Sequence, residues 1–217
     1  MDDDVAINQI YEYVEAVINV DISAVDDVQR EPVRVRSLMR SISRNISTQA
    51  NLSTLRADMR GEEESFSEDT IASYINALSK LHVIEDLAAW NPSIRSKTAV
   101  RTSPTRHFVD PSIATAVLRL NGAALLKDFK TFGLLFESLC IRDLRVYAEA
   151  IDGEVFHYRD GYGLEVDAVV QLKDNRWGAI EVKMGDKEIE KGAKNLLKLQ
   201  SMIDTEKMNT PAFLLWF

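Results

Sequence analysis

The chain has 217 residues, 46% of them hydrophobic and 28% charged, with a formal net charge of −8. That is the make-up of an ordinary globular protein, long enough for one large domain or two small ones. It excludes a membrane span, since no apolar run approaches ~18 residues. It also excludes a chain coated in nucleic acid, while leaving room for a local basic groove.

The start, MDDDVAINQI, is acidic and has the features of neither a signal nor a transit peptide. The lone Cys140, between Leu139 and Ile141, rules out an internal disulfide framework and fits a core thiol in a reducing cytoplasm. Asn8 to Val20 shows helical spacing through Ile10, Tyr11, Val14, Val17 and Ile18, with Glu12 and Glu15 on the polar side. Asp21 to Gln29 reads as an acidic loop, so residues 1–31 form a connector that packs on something else.

Residues 32–109 read as a winged-helix-like domain. Pro32 opens a first helix, where its missing N–H is not needed, and Val35, Leu38, Met39 and Ile42 form its apolar stripe. Ser53 is placed to cap a short second helix with Leu55 and Met59 inward. Ser67 caps a third, whose Glu68 and Asp69 suit its positive end and whose Ile71, Tyr74, Ile75, Leu78 and Leu81 form a buried stripe. Val83 to Trp90 is a strand, its partner lies near Thr98 to Val109, and Arg95 to Lys97 sit at the turn between them.

The third helix of such a unit should enter a DNA groove, yet it starts with two acids and carries only Lys80. Residues 32–109 are therefore expected to bind duplex DNA poorly. Arg36, Arg40 and Arg44 share one face of the first helix. They either touch a DNA backbone or pair with the acidic N-terminal segment, and the second reading is preferred.

Residues 110–217 form the second expected domain. Asp110-Pro111 starts a helix with Ile113, Val117 and Leu118 inward. A longer helix follows from about Thr131 to Ala148, with Phe132, Leu135, Phe136, Leu139 and Leu144 as its stripe. Then come strands at Val155 to Arg159, Leu164 to Leu172 and Arg176 to Lys183, with turn signals at Asp160-Gly161-Tyr162-Gly163 and Asp174-Asn175. A helix from Lys187 to Met202, with Ile189, Ala193, Leu196 and Leu197 inward, precedes an apolar strand from Ala212 to Phe217. The chain stops inside that run, which reads as a truncated or unusually short ending.

The chemistry is concentrated in GLEVDAVVQLKDNRWGAIEVK. Side chains alternate along a strand, so Glu181 and Lys183 share a face. In an antiparallel hairpin, Asp167, fourteen residues before Glu181, lies opposite them. Two carboxylates and an ammonium then converge, a donor set suited to Mg²⁺ or Mn²⁺, which prefer oxygen ligands and keep several waters. A bound ion would acidify a water and polarise a phosphodiester, with Lys183 acting on the water or the scissile phosphate. Glu137 on the preceding helix is a third available carboxylate, and Gly133 one turn earlier would permit close approach. Glu165 shares the face of Asp167 and could join the cluster. The same residues also fit a surface hairpin with cross-strand charge pairs. His82, His107 and His157 show no ligand spacing.

Gly133, Leu135, Phe136 and Glu137 on a helix, then Tyr158, Arg159, Gly163, Glu165, Val166 and Asp167, then Glu181, Val182 and Lys183, together form a pattern. It resembles the uncharacterised domain found C-terminal to many prokaryotic AAA-type ATPases. The upstream part is similar as well: Arg106 to Asp110 resembles the junction between the winged-helix segment and that domain in such ATPases, with arginine in place of a lysine. The resemblance spans roughly residues 5–217 and departs from the superfamily's name in placing Val166, not proline, before Asp167.

The resemblance implies a PD-(D/E)xK nuclease-like fold. The expected class is α+β to α/β, a winged-helix-like segment followed by a restriction-endonuclease-like mixed sheet flanked by helices. It implies Glu137, Asp167, Glu181 and Lys183 as the site, with Gln200 a weaker accessory position. The implied partners are DNA and an ATPase module, which this chain lacks because it has no GxxxxGK[ST] loop. Two functions follow: a Mg²⁺-dependent nuclease end of a DNA-processing ATPase, or an inactive scaffold that binds a protein, DNA or a second copy in a homo-oligomer.

Overall fold

The computed structural model describes residues 3–26, 28–59, 67–92 and 103–216. The acidic run at Glu62 to Glu64, the turn expected at Arg95 to Lys97 and the final Phe217 lie outside them. The chain is mixed α+β, with a two-stranded and a four-stranded sheet. It divides into two compact units: residues 1–86 with 106–138, and residues 87–105 with 139–217.

In the first unit, α1 (Asp3–Ala16) runs into a π-helical turn (Val17–Asp21) and a last helical turn, α2 (Ile22–Ala24). Helix therefore covers the start of the segment expected to be a loop. The cause is burial: Val14, Val17, Ile18 and Ile22 are all in the core. Arg30 anchors the end of this segment. Its guanidinium donates to both Asp26 carboxylate oxygens (2.7 and 2.9 Å) and to the Ile22 carbonyl, and lies over the Tyr74 ring.

Pro32 opens α3 (Pro32–Arg44), and Val35, Leu38, Met39 and Ile42 are buried as the stripe requires. The cap of α4 (Leu52–Asp58) is Asn51, whose side chain accepts from the Thr54 amide, rather than Ser53. Asn51 sits one residue before the first helical turn, where a side-chain oxygen reaches the free amides. Ser67 caps α5 (Glu68–Lys80) by accepting from the Thr70 amide.

A two-stranded sheet of β1 (Ile84–Leu87) and β2 (Thr105–Phe108) follows, with Thr48 bridging antiparallel to Arg106 as a third, minimal strand. Three helices, α3 to α5, thus precede this small sheet, in the expected element order. The arginine face of α3 divides: Arg36 pairs with Glu15 of α1 and Arg44 with Asp58, while Arg40 forms no ion pair among the described residues.

The boundaries drawn at residues 31 and 109 do not survive packing. Helix α6 (Pro111–Leu118), capped by Asp110, packs against α1 and α3. Its Ile113, Ala114 and Ala116 share one core with residues of α1, α3, α4 and α5. Short α7 (Gly122–Leu125) leads to α8 (Phe129–Glu149), within which the division between units falls. The apolar stripe expected there is only partly right. Leu135, Ser138, Ile141 and Ala148 are the buried positions, and Ser138 faces the buried His107, 3.2 Å from its Nδ1.

The second unit is built on a four-stranded mixed sheet in sequential order. β3 (Gly153–Arg159), β4 (Glu165–Leu172) and β5 (Trp177–Glu181) pair antiparallel, and β6 (Phe213–Trp216) pairs parallel to β5. A parallel pair needs a crossover, and α9 (Asp186–Met202) supplies it, packing on β4, β5 and β6. Its buried positions are Gly192, Leu196 and Leu199. Leu197, expected inward, is 60% exposed.

Trp90 packs in this unit's core at 4.7 Å from Trp177, with Tyr158 edge-on at 6.1 Å. Its indole N–H donates to Gln171 and its amide donates to the His157 carbonyl at the β3 edge. Among the described residues, no helix is long and apolar enough to cross a membrane. Replacing Trp90 by Ala removes a buried ring and its partners. Chemical denaturation should show a loss of about 3–5 kcal/mol, with the circular dichroism of the native state retained.

Candidate functional site

The hairpin register brings Asp167, Glu181 and Lys183 together. Ala168 pairs with Ile180 and Val169 with Ala179, so the next pair outward is Asp167 and Glu181. The β4–β5 ladder ends at Ala168 and Ile180, and beyond it a side chain takes over. Asp167 Oδ2 accepts the Val182 amide (2.8 Å), the donor that a continued strand would have used.

Lys183 follows Glu181 by two residues and leans the same way. Its ammonium lies 2.5 Å from Asp167 Oδ2 and 2.5 Å from Glu181 Oε2. The two carboxylate oxygens are therefore no more than twice that distance apart. Burial is unequal: the Glu181 side chain is 1% exposed, that of Asp167 15% and that of Lys183 21%.

These surroundings set the protonation chemistry. Burial pushes the Glu181 carboxyl up from 4.5 to about 7, and the adjacent Asp167 charge adds to the rise, while Lys183 opposes it. Burial alone would lower the Lys183 ammonium, but the flanking carboxylates of Asp167 and Glu181 outweigh it and hold the proton above the usual lysine range.

Helix α9 closes the site from one side. Asn195 donates to Glu181 Oε1 (3.1 Å) and to the Glu165 carbonyl (3.2 Å), tying helix to strand. One turn earlier, Gly192 lies over the same residues. A Cβ there would meet Glu181 Cβ at 3.1 Å and Lys183 Cγ at 3.3 Å, so glycine lets α9 approach.

Neither residue stands out in the sequence. The signal was the alternative phase of α9, in which Ile189, Gly192, Leu196, Leu199 and Ile203 follow i, i+3, i+4 spacing. Gln200, the accessory position the resemblance implied, is exposed, whereas Asn195 is a side chain of α9 that bonds Glu181.

Two further expectations change. Glu165 does not join the cluster: it is exposed, and its carboxylate pairs with Arg159, its register partner on β3, at 2.7 Å. Gly133 is not a point of close approach, since a Cβ there would meet nothing within 4 Å. Glu137 lies on α8 in the first unit. Among the described residues, no group of three or more His, Cys, Asp or Glu side chains is placed to hold a metal ion. What the second unit assembles is a two-carboxylate site with a built-in cation.

The family model described as a domain of unknown function (DUF8612) matches residues 2–124, more than half of the chain. The chain belongs to the DUF8612 family. The match covers the α1–α6 core of the first unit. A second model, a domain of unknown function (DUF4143), matches residues 132–212 and covers the Asp167–Glu181–Lys183 site. DUF4143 is a domain often found at the C-terminus of AAA-type ATPases. No curated protein and no solved structure matches this DUF8612 chain.

The charge arrangement predicts a pH signature. Glu181 binds its proton more tightly when folded than its ordinary value of 4.5 would give. Its contribution to stability is therefore complete below that value and is lost as pH rises through about 7. Lys183→Met removes the cation that restrains the shift, so the loss should continue to higher pH. Thermal melts at pH 5 and pH 8 should show a wider gap in Lys183→Met than in the unmodified chain.

Proposed function

We propose that the domain covering residues 132–212 is a divalent-cation-dependent phosphodiester-cleaving site of the nuclease-like kind, acting on DNA in company with an AAA-type ATPase module. One observation carries this reading: Asp167, Glu181 and Lys183 converge at the end of a mixed sheet, with their oxygens and nitrogen within hydrogen-bonding reach. A surface hairpin with ordinary charge pairs would leave them exposed. Here the Glu181 carboxylate is sealed in, at a cost that a structural pair seldom recovers.

The donor set fits a hard cation. Mg²⁺ and Mn²⁺ take oxygen ligands and keep most of their waters, so two carboxylates suffice. Asp167 and Glu181 would hold such an ion. When bound, the ion would acidify a water and polarise the phosphodiester. Asn195 keeps the Glu181 carboxylate oriented. Lys183 keeps its proton, being held above the usual range. It can therefore place positive charge on a phosphate oxygen, the role of a preorganised electrostatic group.

A second reading has its own support. Lys183 already satisfies both acids, and no cluster of three acidic or other ligating side chains is present among the described residues. On that reading the fold is a scaffold that binds DNA, a protein or another copy, and the trio is an internal counter-ion set.

Calorimetric titration with Mn²⁺, paired with a plasmid-nicking assay, separates the two. Asp167→Ala should abolish cation binding without unfolding the chain, because it removes a ligand and relieves repulsion on Glu181. Lys183→Ala should bind the cation at least as tightly as the unmodified chain, since the competing ammonium is gone, but lose nicking. A folded, unmodified chain that takes up no Mn²⁺ decides for the scaffold.

A further inference from the structure

The arginine face of α3 is not absorbed by the site in the second unit. It opens instead onto a cavity of about 810 Å³ within the first unit, walled by α1, α3 and α6. That is the size of small-molecule sites, which run ~300–1,000 Å³.

The lining is unbalanced in charge. Arg36, Arg40 and Arg119 face it, against a single carboxylate, Glu15. Glu15 is already engaged: Arg36 grips both its oxygens, at 2.8 and 2.7 Å, and Asn19 donates to it as well. Those contacts hold its carboxyl below the usual range, so it stays charged and keeps Arg36 in place. Arg40 and Arg119 form no hydrogen bond or ion pair among the described residues, although Arg119 also bears electrostatically on Glu15.

Arg119 is unusual in its backbone too. It ends α6 in the left-handed conformation at φ 54°, where glycine is the ordinary choice. A non-glycine residue held there costs free energy, as at Ser47, His82, Asp152 and Asn175 elsewhere in the chain. Besides the polar Asn19 and Ser37, the wall is apolar or aromatic, with Tyr11, Val14, Ile18 and Val117 among its residues.

We propose that this cavity binds a phosphorylated small molecule, its phosphate held by Arg40 and Arg119 and its body against Tyr11 and the aliphatic wall. Two free guanidinium forks match a phosphate, which offers several oxygens and more than one charge. A single carboxylate would leave one fork unmet. The site stands apart from the proposed phosphodiester chemistry, and neither depends on the other.

The test is isothermal titration calorimetry of the intact chain with pyrophosphate and with ADP. At least one should bind with one-to-one stoichiometry. Arg119→Gly should weaken that binding about tenfold or more while leaving the melting temperature equal or higher, because glycine adopts the left-handed conformation freely. Arg40→Ala should weaken it comparably, and Lys80→Ala, outside the cavity, should not change it. Failure of both ligands to bind the unmodified chain overturns the proposal. So does binding that persists in the Arg40→Ala/Arg119→Gly double variant, or that falls equally in Lys80→Ala. Because Asp167→Ala leaves the cavity untouched, its binding curve should match that of the unmodified chain, and a loss there would assign the ligand to the second unit instead.

Discussion

A carboxylate sealed from water at the end of a strand is the constraint around which the second unit is organised. Glu181 is 1% exposed at its side chain and sits beside another acid. An ionised carboxylate so placed is costly unless it is paired and hydrogen-bonded. The surroundings meet that need from three elements. Lys183 supplies charge from the same strand end, Asn195 a hydrogen bond from α9, and the hairpin register fixes Asp167 on the other side of Lys183. Even so the Glu181 carboxyl is held near 7, so the compensation is incomplete. A site tuned only for stability would carry a neutral residue there, since exchanging buried ion pairs for apolar groups is often neutral or stabilising.

The same constraint explains details of packing that otherwise look arbitrary. Gly192 lies in mid-helix, where glycine costs roughly 1 kcal/mol relative to alanine. The cost is accepted because a Cβ would press on Glu181 and Lys183. In the same sheet, Gly178 lies against the Phe213 ring, whose carbons an added Cβ would meet. These two glycines let α9 and β6 close on β5 from different sides.

The fold was legible where a local rule and burial agreed. Pro32 at a helix start, Ser67 as a cap and the alternating hairpin all rest on backbone chemistry within a few residues, and all are found in place. Where two local rules competed, tertiary contact decided. Asn51 and Ser53 could each cap α4, and geometry chose Asn51. Leu196 and Leu197 could each begin the inward stripe of α9, and the face that could approach Glu181 won, turning Leu197 outward and Asn195 inward. The convergence of Asp167, Glu181 and Lys183 is legible in the sequence because register is a short-range property. Its helical partners were missed because Gly192 and Asn195 matter only once α9 is docked. Glu165 was misread because an exposed carboxylate at a strand edge takes the nearest cation, and its cross-strand neighbour is Arg159. The segment 21–24 was misread because charge suggested a loop, while Ile22 belongs to a core supplied by residues from α1 to α8.

The two units carry opposite electrostatic offers. In the second, two carboxylates share one ammonium, leaving a local excess of negative charge that favours a cation. In the first, three guanidinium groups surround one carboxylate, leaving an excess of positive charge that favours an anion. A single ligand group cannot satisfy both. The two family matches, one ending at residue 124 and the other beginning at residue 132, divide the chain similarly, except that residues 87–105 and 132–138 fall on the other side. The acidic overall charge of −8 hides this arrangement, because it is the sum of a surface that repels polyanions and a cavity that attracts a small one. Net charge argues against a chain wrapped in nucleic acid, and it says nothing against a phosphate held by Arg40 and Arg119 inside three helices.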